Sequence, residues 1–226
     1  DEDLSYLNAA AHSDFEKAHE RVFLNDVAAF LHGRANHLLS FSQVREMLPI
    51  TGQVERGLQQ VPLSAIRGSV DRYRDFDSEF LPRNRATRER WERLDRLALA
   101  GEYIPPIQLY KVGDIYFVKD GNHRVSVARQ QGATDIEAEV IECTTNVPVR
   151  SDSDLRDLLR LAELGRFLQQ TNLDKLRPNC HIMFTSLGRY DELLEHISAH
   201  RWYLGIEYQR PVSWEEAVLS CHDTLY

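Results

Sequence analysis

Cysteine is scarce in this chain of 226 residues: Cys143, Cys180 and Cys221 lie far apart, are odd in number and form no CxxC pair. That pattern excludes a disulfide framework and a zinc knuckle, and the three read as reduced structural thiols. Positive charge is also short, with 27 Lys plus Arg against 35 Asp plus Glu and a formal charge of -8. A long polyanion is repelled by such a chain as a whole, so any DNA or RNA contact needs a local patch. No apolar run approaches the roughly 18 to 20 residues that cross a bilayer, and no basic start followed by an apolar stretch marks a secretory signal. The expectation is a cytoplasmic protein without a membrane partner. The chain opens on Asp1 instead of Met, as a piece of a longer protein would.

Arginine is abundant where lysine is not, 23 against 4. Its planar fork suits phosphate and carboxylate, so the composition points to anion recognition. At 42% hydrophobic and 27% charged, the chain has an ordinary globular composition and the length to bury a full core.

Apolar residues at three and four residue spacing from Phe15 to Leu31 predict a helical N-terminal extension over 1–60, punctuated by Gly33 and by Pro49 to Gly52. A second short helix is expected over Ser42 to Leu48, capped by Ser42. Val61 to Ile66 reads as a strand, and Thr87 to Ala100 as an amphipathic helix stopped by Gly101. Ile107 to Val112 and Ile115 to Lys119 alternate around Gly113-Asp114, which is a hairpin signal. After Asp120-Gly121, Asn122 is placed to cap a helix that Gly132 ends, and Ile136 to Ile141 alternates again. From 143 to 226 the pattern is mostly helical. Ser153 is the expected cap of one helix, Asp191 to His200 and Ser213 to Ser220 form two more, and His181 to Thr185 a short strand. Trp202, Tyr203, Leu204 and Trp214 are expected to anchor this extension.

Chemistry concentrates in Lys119-Asp120-Gly121-Asn122-His123-Arg124, where a strand hands over to a helix. Unpaired N–H groups, the positive end of the helix dipole and a glycine that admits a ligand make an anion site, with His123 and Arg124 as donors. The same residues also suit a plain turn, cap and solvated pair. The segment from Gly68 to Arg83 lacks helical or strand periodicity and carries Arg72, Arg74, Asp75 and Asp77. It reads either as a functional loop or as a salt-bridge lattice.

Residues 83–96 carry six arginines against Glu89, Glu92 and Asp95. The default reading is a solvated helix face with Glu89–Arg93 and Glu92–Arg96 pairs. His196 and His200 have metal-ligand spacing but no third ligand, so no metal is assigned. His12, His19, His32 and His37 are given no role.

The run VPLSAI, a helix, then PPIQLYKVGDIYFVKDGNHRVSVARQQGATDIEAEVIE, covering 61–142, resembles the ParB/sulfiredoxin superfamily. The resemblance implies an α+β fold, a small mixed sheet with helices, here flanked by N- and C-terminal helical extensions (1–60 and 143–226). Members include CTP-binding ParB partition proteins, sulfiredoxins, free serine kinases and nucleases. In them the G-x-x-R turn binds nucleotide phosphates or other anions, which carries over to Gly121, Asn122, His123 and Arg124, beside Asp120 and with Ser126 following. Arg72 and Arg74 are then expected to reach the phosphate. Asp75 or Asp77 would be a base or magnesium ligand, and His123 a phosphate donor.

Sulfiredoxins place a cysteine where Asn122 stands, so their thiol chemistry is not expected. The acidic C-terminal part shows no recognition helix, which disfavours operator binding. Stretches such as RYRDFD-x-x-FLPR and HRWYLG also resemble bacterial proteins that carry ParB-like domains. The leading expectation is a nucleotide (CTP, ATP or ADP, with Mg2+) or phosphorylated small molecule bound at the DGNHR turn, with phosphoryl transfer or nucleotide hydrolysis as the associated chemistry. The alternatives are a DNA-binding or nuclease protein using the helix at 83–96, and a non-catalytic ligand-sensing module with a homodimer interface in its C-terminal extension.

Overall fold

The computed structural model describes residues 2–31, 36–180 and 182–225. Gly33 and His32 therefore lie outside the described residues, as does His181. In chain order the elements begin with α1 (Glu2–Leu31), β1 (Leu39–Ser40), α2 (Phe41–Met47), β2 (Ile50–Pro62) and β3 (Ile66–Ser69). They continue with α3 (Arg88–Leu99), β4 (Ile107–Val112), β5 (Ile115–Asp120), α4 (Asn122–Gln130) and β6 (Asp135–Thr145). Four more helices follow, α5 (Leu155–Thr171), α6 (Leu173–Leu176), α7 (Arg189–Tyr208) and α8 (Trp214–Leu225). The fold class is α+β.

Two compact units divide the chain, one over 1–46, 50–145 and 149–151, the other over 47–49, 146–148 and 152–226. The first holds a six-stranded mixed sheet in the order β1-β3-β5-β4-β6-β2. β3 lies parallel to β5 and β4 parallel to β6, while the β4–β5 hairpin joins these pairs antiparallel. Gly113 turns that hairpin with φ 57, a conformation glycine adopts without steric cost. Ile107, Leu109, Val118, Ala138 and Val140 pack with Val125 of α4 and with Phe76 and Phe80 of the loop after β3. A second cluster joins Phe15, Ala18 and Val22 of α1 to Trp91 of α3 and Val127 of α4. The two clusters bury α4 from both sides.

β2 overturns the expectation of a helical stretch through residue 60. Thirteen residues, Ile50 to Pro62, form an edge strand paired antiparallel with β6, from Ile50 opposite Thr145 to Pro62 opposite Asp135. Gly52 and Gly57 weaken a helix here, Ile50, Thr51, Val54 and Val61 favour a strand, and the backbone partner is β6. Register breaks occur at Ile50/Gly52 and Glu55/Gly57. The expected strand Val61 to Ile66 is split, because a short 3-10 turn at Leu63–Ala65 separates β2 from β3.

Three capping expectations shift by one residue. α2 begins at Phe41, so Ser42 lies inside its first turn. α4 is preceded by Gly121 instead of being capped by Asn122. α5 is capped by Asp154, not Ser153, in a reciprocal box with Asp157.

In the second unit Phe167 of α5 and Tyr190 of α7 meet at 5.5 Å between ring centroids. Trp214 Nε1 donates to Gln170 O at 2.8 Å, which ties α8 to α5. Trp202 and Tyr203 depart from the anchoring expectation, being 63% and 64% exposed. Ile182 to Thr185 form no strand. His200 Nε2 contacts Ser220 Oγ at 2.9 Å. No helix among the described residues is long and apolar enough to cross a membrane.

Candidate functional site

The handover from β5 to α4 is built around Gly121, whose φ of 113 lies in the left-handed region. A Cβ there would strike the Ile107 side chain of β4, so only glycine lets the strand turn this sharply into the helix. Val125 N–H bonds back to Gly121 O at 3.0 Å, the first closing bond of α4. The N–H groups of the turn ahead of it are those that a helix start leaves without intrahelical acceptors.

His123 occupies this first turn and is 4% exposed. Both ring nitrogens are buried without a hydrogen-bond partner. Its ring meets Phe76 edge-on at 5.2 Å. Burial foremost, then the fields of Arg90 and Arg72, push its imidazole down to about 4. The ring is therefore neutral at pH 7, with one N–H to donate and one nitrogen to accept. Asn122 Oδ1 is also buried and unpartnered, while its Nδ2 reaches Asp71 O at 3.5 Å. Three unmet polar atoms on two adjacent residues are a costly arrangement, about 1–3 kcal/mol each when nothing binds them.

Arg124 is more tightly held than its spacing suggested. Its Nη1 donates to Pro105 O at 2.9 Å and to Pro106 O at 2.7 Å, and its Nη2 to Asp120 Oδ2. Beside it is a cavity of about 580 Å³ lined by Glu89, Arg90, Arg93, Leu94 and Arg124. Three arginines line it against one glutamate.

The other expected residues separate into those that face solvent and those spent inside. Ser126 is fully buried and accepts from Trp91 Nε1 at 2.8 Å, so its hydroxyl braces α4 against α3 and is closed to a ligand. Asp77 is 0% exposed; its Oδ1 accepts from Glu79 N–H at 2.9 Å and Leu81 N–H at 2.8 Å, and its Oδ2 from Asn25 at 2.8 Å. It staples the loop, and its carboxylate has no free face for a base or metal ligand. Asp75 keeps partial exposure, 3.9 Å from Arg72. Arg74 lies over the Tyr73 ring at 5.6 Å and lines a different cavity with Asp26, Phe30 and Arg83. Of the two loop arginines, only Arg72 acts on His123.

The arginine-rich segment is only partly the free face expected. Arg83 makes two bonds to Asp26, and Arg85 and Arg88 pair with Glu16 of α1. Arg88 also pairs with Glu92 in place of the anticipated Glu92–Arg96 contact. Arg93, read from sequence as part of a solvated face, lines the cavity together with Arg90. Their i,i+3 spacing was the available signal, but it needs the position of Arg124 to acquire meaning.

No protein-family profile matches the chain, and no curated protein matches its sequence. Among solved structures it is similar to sulfiredoxin from Arabidopsis thaliana, at 20% identity over 37% of this chain and 82% of that chain, with a TM-score of 0.29.

Proposed function

We propose that residues 61–142 are a ParB/sulfiredoxin-like module and that the start of α4, with Arg90, Arg93 and Arg124, binds the phosphates of a nucleotide or phosphorylated small molecule. The observation that carries this reading is His123, a 96% buried imidazole in the first turn of α4 with both nitrogens unpartnered, directly before Arg124, which lines a cavity with Arg90 and Arg93. A phosphate oxygen accepts from the imidazole N–H and the turn N–H groups, and the arginines neutralise its charge. Among the described residues no group of three or more His, Cys, Asp or Glu side chains is placed to hold a metal. Magnesium would then come with the phosphate chain of the ligand.

For phosphoryl transfer or hydrolysis at this site, Asp75 is the residue we assign as base, since Asp77 is consumed by the loop. It would take the proton of an attacking hydroxyl or water. Calorimetric titration of CTP, ATP, ADP and inorganic phosphate into wild type and Arg90→Ala/Arg93→Ala tests the site. The expected result is binding of at least one in the wild type and a loss of roughly tenfold or more in the variant. No binding of any of them to the wild type rejects the reading. A turnover assay with the ligand that binds then separates an enzyme from a sensor.

A further inference from the structure

Arg124 has five N–H donors, and the structure accounts for three. Its Nη1 is used up by the carbonyls of Pro105 and Pro106. Its Nη2 is engaged by Asp120 Oδ2. The fork edge formed by Nε and Nη2, the geometry that grips an oxyanion in two parallel bonds, is thus already shared with a carboxylate of the chain. The two partners differ in freedom: the Arg124 side chain is 16% exposed, whereas Asp120 is 58% exposed. The proline carbonyls hold the guanidinium in place, and Asp120 can turn into water at small cost.

We propose that Asp120 is a specificity gate, a built-in monoanion that an entering ligand must displace from Arg124, so that the site admits anions carrying two or more charges and rejects simple carboxylates. The inference rests on the phosphate-site reading above and adds the class of anion accepted. A monocarboxylate offers Arg124 no more than Asp120 already supplies, so the exchange brings it little gain. A phosphoryl or pyrophosphoryl group has oxygens left for Arg90, Arg93 and the N–H groups of α4 after it has replaced Asp120. Asp120 also offsets one of the three positive charges at the cavity wall, which keeps the empty site from holding chloride or acetate indiscriminately.

The test is titration of pyrophosphate and of acetate into wild type, Asp120→Asn, Arg124→Gln and the double variant, with thermal midpoints recorded for each. Wild type is expected to bind pyrophosphate and not acetate. Asp120→Asn is expected to bind pyrophosphate about three- to fivefold more tightly, the range of an exposed ion pair, and to acquire measurable acetate binding. In the Arg124→Gln background the same change is expected to leave pyrophosphate affinity unaltered, an outcome that a general effect on charge or folding does not produce. Equal pyrophosphate affinity in wild type and Asp120→Asn overturns the gate and leaves the site standing. Absence of pyrophosphate binding in both rejects the site itself.

Discussion

The indole Nε1–H of Trp91 donates to Ser126 Oγ at 2.8 Å in the interior, joining α3 to the first turns of α4. Trp91 is fully buried and meets Phe15 of α1 edge-on at 5.6 Å. Three helices therefore share one side chain, and Arg90 and Arg93, on either side of Trp91 in α3, line a cavity with Arg124 of α4.

Trp91→Phe keeps most of the apolar volume but removes the donor, leaving the Ser126 hydroxyl without its partner. The expected loss is about 1–3 kcal/mol in urea unfolding. Ser126→Ala in the Trp91→Phe background should add little, since the bond is already gone. Strictly additive losses in the double variant would show that the two groups do not act together.

The neutral His123 makes stability depend on acidity. Its folded value of about 4 lies below the ordinary 6.5, so between these values the unfolded chain binds more protons. The contribution is complete above pH 6.5 and is lost as pH falls towards 4, up to about 3 kcal/mol. Comparing wild type and His123→Gln by urea unfolding between pH 7 and 4.5 isolates it. The wild type should lose stability more steeply, and parallel curves would contradict the assignment.

Asp95 titrates in the opposite sense. Burial pushes its carboxyl up, offset by the Gln131 amide that donates to Oδ1 at 2.7 Å, while Oδ2 is buried without a partner. A raised carboxyl favours folding at low pH and loses that advantage as pH rises through its folded value. Asp95→Asn is thus expected to be more stable than wild type at pH 7, by about 1 kcal/mol, with the gain shrinking as pH falls through the folded value and largely gone at about pH 3.5, below the ordinary 3.8. Thermal melts at both pH values give the comparison, and a destabilised variant at pH 7 would reject it.

Gly121→Ala and Gly132→Ala separate backbone strain from collision. Both glycines have positive φ, 113 and 74, but a Cβ on Gly121 meets Ile107 whereas one on Gly132 meets nothing within 4 Å. Gly132→Ala should cost about 1 kcal/mol and Gly121→Ala about 2–4 kcal/mol, with loss of ligand affinity only in the latter. Equal costs would show that the turn accommodates a side chain.

Local signals were legible where punctuation is strong. The β4–β5 hairpin follows from alternation around Gly113-Asp114, and α3 and α4 from periodic apolar residues stopped by Gly101 and Gly132. The strand-turn-helix that carries His123 was visible for the same reason. β2 was not, because its character comes from pairing with β6, far along the chain. Nor does composition report burial: Asp77 and Ser126 look like ligands until the donors around them are seen. The roles of Arg90 and Arg93 depend on where α3 meets α4, which no spacing within α3 encodes.

The edge position of β2 has a consequence for the nascent chain. Its partners on β6 lie about 70 to 95 residues later, so at cellular elongation rates β2 exists for roughly 4 to 20 s before β6 is made. During that interval a strand of 13 residues has no native ladder to join. The break in register at Glu55/Gly57, with both charges of the strand at Glu55 and Arg56, disfavours straight pairing with a neighbouring chain on the same polysome. What distorts the finished sheet edge also protects the unfinished molecule.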